Sequence, residues 1–293
     1  MKTVGSHSSS PRLLLGMLAL LLILGLVTAA QAANKAAPHK AAAGAGAGAP
    51  YPQCRYANSK IVRWISQEMP LRVYIAHGTS LDDAGADPST GAPLNNSDNT
   101  AGWPDLVYSL IKSPDGLSKL HVADGYSEPM WQAVAQGVNQ WKRFQNDGLL
   151  SFELTDDPQD ANVYIFWTNH FVGKTGMALF SNDIRGYTAK HLLPYATVIN
   201  ALNSGNNALV ENSLRPVVVQ LATTENIAAA PVPISLTKLQ ASAAHEMGHV
   251  LGIDGHSLNR GDLMSVYYGN GQISPNDAAT IRYIYHNNPD LIP

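Results

Sequence analysis

The stretch His245-Glu246-Met247-Gly248-His249-Val250-Leu251-Gly252-Ile253-Asp254-Gly255-His256 carries the densest chemistry in the chain. Ser235 or Thr237 can cap a helix ahead of it, no proline interrupts, and Gly252 is placed to end it. On a helix, positions four apart share one face. His245 and His249 can therefore reach a single zinc ion at about 2.0–2.1 Å. Glu246 leaves the helix at a different angle and is free to hold a water beside that ion. Zinc lowers the pKa of such a water to about 7, where a carboxylate can take its proton as it attacks a peptide carbonyl.

A third protein ligand is needed to complete the site. Thermolysin-like enzymes supply a downstream glutamate, and no glutamate follows Glu246 here. Gly252 permits a sharp change of direction, after which His256 can return to the metal. Met264 follows in Asp262-Leu263-Met264-Ser265, where a turn can pass beneath the site.

These residues resemble the metzincin metalloproteases, and the matrixins among them most closely. The family pattern is HExxHxxGxxH followed by a methionine-containing turn. Here one extra residue separates Gly252 from His256, and the spacing from His256 to Met264 then follows the matrixin pattern. The resemblance implies a single catalytic zinc held by His245, His249 and His256, with Glu246 as general base and Met264 as packing beneath the metal. Because some metzincins use an aspartate near this position, Asp254 is the alternative third ligand. Matrixin propeptides carry a cysteine that blocks the zinc, and Cys54 lies at about that distance before the first strand. Pro52-Gln53-Cys54-Arg55 is only faintly like that motif, so Cys54 stands as a latency switch or as an ordinary thiol. Tyr267 and Tyr268 are read as packing. The family binds substrate as an added strand at a sheet edge, and residues 177–180 are the expected edge. The specificity pocket is expected between the zinc helix and residues 257–270.

Working outward, Ser274-Pro275-Asn276-Asp277 reads as a helix start, with a serine cap, proline at the first position and an acid three residues on. Ala278, Ile281, Ile284 and Tyr285 continue it at helical spacing. Upstream, Leu71, Val73 and Ile75 alternate with Arg72 and Tyr74 as in a strand. Ser127 and Pro129 open a helix whose core face is Trp131, Val134, Val138 and Trp141. Residues 151–154 read as a short strand, and residues 161–167, apolar on both faces, as a buried central one. Residues 195–199 are a further strand expectation, and 106–111 a short helix. Residues 201–234 read as irregular, with one apolar stretch at 217–221. The whole implies an α+β domain: a mixed twisted sheet with one helix among the strands, an active-site helix and a C-terminal helix.

At the N-terminus, Lys2 and Arg12 precede an apolar run at 13–27, short of the about 20 residues a span needs, and Ala30-Gln31-Ala32 fits a cleavage site. Residues 1–32 are expected to be an export signal, residues 33–54 an Ala/Gly-rich linker or short pro-segment, and residues 55–293 the catalytic domain. The mature form is expected to be secreted or extracytoplasmic, away from the membrane. Cys54 is the one cysteine, so no internal disulfide exists and the fold rests on its core or on metal. A net charge of −3 without a basic block gives no surface for nucleic acid. The expected partner is a protein or peptide substrate. The Asp/Asn-rich stretches 82–87 and 95–99 offer oxygen ligands for Ca²⁺, though without EF-hand spacing. A rival reading is a catalytically silent binding or surface protein on the same fold. An intact Glu246 argues against it, because a binding module needs no general base.

Overall fold

The computed structural model describes residues 48–56, 59–82, 84, 100–172, 178–179, 185–227, 230–267 and 269–293. The expected export signal, the linker up to residue 47 and most of both calcium stretches lie outside them, as does Tyr268. In chain order the elements begin with β1 (Leu71–Ser80), α1 (Trp103–Lys112), α2 (Glu128–Asn139), β2 (Phe152–Thr155), β3 (Val163–Thr168), β4 (Phe171–Val172) and β5 (Ala178–Leu179). They continue with β6 (Gly186–Ala189), β7 (Leu193–Pro194), α3 (Tyr195–Asn203), α4 (Asn207–Ser213), β8 (Val217–Ala222), β9 (Thr224–Ile227) and β10 (Ala230–Pro233). Last come α5 (Leu236–Val250), α6 (Pro275–His286) and β11 (Leu291–Ile292).

Five strands form one sheet in the order β2-β1-β3-β8-β6. All neighbours run parallel except β6, which pairs antiparallel with β8. Every residue of β3 and β8 is buried, as parallel strands covered on both faces should be. This is the α+β class expected. The helices α2 and α5 pack against each other and against the sheet. Two tryptophans fix α5 from outside: Trp141 Nε1 donates to Ala244 O and Trp64 Nε1 to Val250 O, both at 2.8 Å. A buried indole thereby satisfies its N–H while pinning the helix that carries the histidines.

Both ends of α5 follow from its sequence. Ser235 Oγ accepts from Lys238 N, and Gly252 takes a positive φ of 112° just past the last turn. The helix α6 starts in a capping box, with Ser274 and Asp277 satisfying each other's backbone N–H. By contrast Ser127 makes no side-chain cap; Met130 N bonds to its backbone carbonyl.

Several expectations are corrected. Residues 195–199 lie in the helix α3, which buries Val198 and Ala201, three positions apart, in a small second core with Ile65, Val210 and Ile292. The apolar stretch at 217–221 is the interior strand β8, between β3 and β6. Within 177–180 the described strand is β5, which pairs with β4 in a separate two-stranded sheet; the main sheet ends on β2 at one side and on β6 at the other. The segment expected as linker or short pro-segment has its last residues packed against the domain. Tyr51 and Cys54 are buried in the main core, and Tyr51 O–H donates to Asp277 Oδ1 at 3.1 Å.

Candidate metal centre

The residues of α5 and the loop after it bring three imidazoles together. His256 Nε2 lies 3.1 Å from His245 Nε2 and 3.2 Å from His249 Nε2. Each of the three histidines offers one ligand atom, and these atoms lie within 4.8 Å of one another. Tetrahedral zinc at about 2.0–2.1 Å spaces its ligand atoms by about 3.3–3.4 Å, so the cradle has the right size.

The far sides of two rings are anchored. His245 Nδ1 donates to Leu263 O at 2.9 Å, and His249 Nδ1 donates to Ile253 O at 2.6 Å. With Nδ1 carrying the proton, a neutral ring presents a bare lone pair at Nε2. Lone pairs converging at this range repel unless a cation lies between them. Burial lowers the pKa of all three rings. His249 is held well below its usual value, through burial and then its two histidine neighbours, and His256 is pushed down to about 4 by burial and then His245. Neutral imidazole is the form that binds metal. The donor set therefore fits a zinc ion.

Glu246 is 5% exposed and faces β6. Its Oε2 accepts from Thr188 Oγ1 at 2.7 Å. A β-carbon at Gly186 would sit 2.7 Å from Glu246 Cγ and 2.9 Å from Oε1, so only glycine leaves room for this carboxylate. Burial pushes the Glu246 carboxyl up to about 7, against the Thr188 hydrogen bond and the Lys190 charge, which pull it down. A carboxyl poised near neutrality suits proton transfer.

The two-residue period of β6 puts Gly186, Thr188 and then Lys190 on the face toward α5. Lys190 Nζ lies 3.1 Å from Asp254 Oδ1 and 3.2 Å from His249 O. Asp254 is thus turned to the lysine and is not among the three converging groups, whereas His256 is. Sequence reading missed Thr188 and Lys190; their alternation with Tyr187 and Ala189 was the available signal.

Met264 is fully buried under the helix; a β-carbon at Gly248 would meet its Sδ at 2.4 Å. Its loop is tied from below by Asp277, which accepts from Leu263 N at 2.7 Å and Met264 N at 3.2 Å. Asp277 thereby also positions Leu263 O, the acceptor for His245. Cys54 is 2% exposed, and its thiol is not part of the converging group; its backbone carbonyl accepts from Asp254 N at 3.0 Å. Burial raises its thiol pKa.

Residues 127–286 match the family model of the matrixin peptidases. The chain belongs to the matrixin family. A search of curated proteins returns no match. Matrixins are zinc metalloproteases, hydrolases that act on protein or peptide substrates, and this membership implies a catalytic zinc. The matched span runs from the start of α2 to the end of α6. It includes the whole matrixin sheet here except β1, and all three histidines. Among the described residues no helix is long and apolar enough to cross a membrane.

Proposed function

We propose that this matrixin is a secreted zinc endopeptidase whose metal is held by His245, His249 and His256, with Glu246 as its general base. The observation that carries this reading is the convergence of three imidazole Nε2 atoms beside a buried carboxylate. Zinc in that cradle would supply Lewis acidity toward a substrate carbonyl and acidify a water. Glu246 takes that water's proton on Oε1, since Oε2 is engaged by Thr188, and returns it to the nitrogen of the departing amine.

Among the described strands β6 is the end of the sheet nearest Glu246, and a substrate backbone would add beside it as an antiparallel strand. Leu258, Val266 and Tyr267 expose apolar surface on the loop after His256, with Arg260 stacked 4.2 Å over the Tyr267 ring. They suit a side chain of the bound peptide. Export rests on the N-terminal signal pattern, and the domain limits on the linker composition.

Zinc content and casein cleavage of the purified protein and its Glu246→Gln variant test the proposal. One zinc per chain in both is expected, with cleavage lowered about 10²–10⁴-fold in the variant. Undiminished cleavage by the variant would remove Glu246 from the role. Zinc bound without cleavage by either protein would favour a binding function instead.

A further inference from the structure

The loop between Gly252 and His256 has one residue more than the family pattern, yet His256 still faces the other two histidines. Two contacts hold it there. Outside the loop, Asp254 N bonds to Cys54 O, and Gly255 lies so close to Gln53 that a β-carbon would sit 1.7 Å from its carbonyl oxygen. Inside, Lys190 reaches from the end of β6 to both Asp254 and the last turn of α5. The lysine side chain is 8% exposed and that of Asp254 24%. A nearly buried ammonium with a carboxylate and a helix carbonyl as acceptors is a rigid strut, because losing either acceptor strands a charge away from water.

We propose that Lys190 is a positioning residue for the third metal ligand: it ties the end of the zinc helix to Asp254, fixing the path that carries His256 back to His245 and His249. The same bond keeps the Asp254 carboxylate out of the metal's reach. This inference rests on the three-histidine reading above. It adds that a residue just past β6 sets metal affinity through a contact of its own, without touching the metal.

Zinc affinity is measured by competition with a chromogenic chelator for the parent, Lys190→Met, Lys190→Arg, Asp254→Asn and the Lys190→Met/Asp254→Asn double variant. Thermal unfolding of each metal-free protein is recorded alongside. The parent is expected to bind one zinc. Lys190→Met and Asp254→Asn should each weaken binding about 10–100-fold, the usual effect of removing an outer partner of a metal site. The double variant should be no weaker than the worse single one, and Lys190→Arg should recover most of the loss. Single variants that bind zinc as tightly as the parent, or a double variant whose loss is the product of the two, would overturn the strut while leaving the metal site intact. Loss of affinity that merely follows a lowered unfolding midpoint in the metal-free protein would overturn it as well. A parent that binds no zinc would overturn the metal reading and the strut with it. Should Lys190→Met fail to fold, Asp254→Asn, at the more exposed end of the pair, decides the question alone.

Discussion

The carboxylate of Glu246 is confined on one side by the absence of a side chain. Gly186→Ala should push Glu246 off Thr188 and lower kcat/KM about 10–100-fold, since small misplacements of a reacting group cost this much. Zinc content should not change, which an atomic absorption measurement on the same samples would check. A second residue reports on burial alone. Glu68 is half-buried, and burial pushes its carboxyl up to about 7 despite the hydrogen bond from Ile65 N. The folded state therefore holds this proton more tightly than the unfolded chain, whose carboxyl titrates near its ordinary value of 4.5. The stability it contributes is full below that value and is lost as pH rises through about 7. Relative to the parent, Glu68→Gln should gain about 1–2 kcal/mol between pH 5 and pH 8, after allowance for solvent screening. Urea unfolding at the two pH values would show it, and equal differences at both would contradict it. At this scale the histidines and Glu246 are legible because they sit within one helix and its exit loop. Thr188 and Lys190 are not, because they meet Glu246 and Asp254 across 58 and 64 residues of chain.

The two helices that frame the site carry terminal signals in their sequence, and α3 does not. The helix α6 announces itself through its serine cap, its proline and Asp277, and α5 through Ser235 and Gly252. The helix α3 carries β-branched Val198 and Ile199 beside Thr197, which favours the strand reading, yet its burial recurs at helical spacing. Tertiary burial outweighed local preference there. The strand β6 is four residues long and half-buried, too short for its alternation to stand out. Asp277 links two elements: it caps α6 and holds the loop of Met264, and it is 0% exposed. Asp277→Ala would leave the N–H groups of Ser274, Leu263 and Met264 without their acceptor. A loss of about 3 kcal/mol or more is expected, together with weaker zinc binding as Leu263 O drifts from His245. Denaturant unfolding and chelator competition measure the two effects; a variant as stable as the parent would deny Asp277 this role.

For the molecule as a whole, the fold class followed from the order of strands and helices, and the buried middle of the sheet from the apolar run of β3, while β8 was legible only as an apolar stretch. The start of the packed body did not, because Tyr51 and Cys54 follow a stretch whose Ala/Gly composition has no periodic pattern. Their packing partners lie more than two hundred residues away: Tyr51 N donates to Thr280 Oγ1 at 3.2 Å, Tyr51 O–H to Asp277, and Arg55 to Tyr283 O–H. A chain beginning at residue 59 should therefore lose buried area from Tyr51 and Cys54 and unfold at least about 5 °C lower, as calorimetry would read. An unchanged midpoint would show the segment to be dispensable.

The clasp of residues 48–55 onto α6 also bears on when the molecule can finish folding. Contacts of such sequence separation form late, because the loop they close must first be ordered. During synthesis the early segment emerges without its partner, and the loop of Met264 lacks the acceptors that Asp277 provides. The backbone acceptor that orients His245 therefore sits in a loop whose own tether, Asp277, is made after all three histidines.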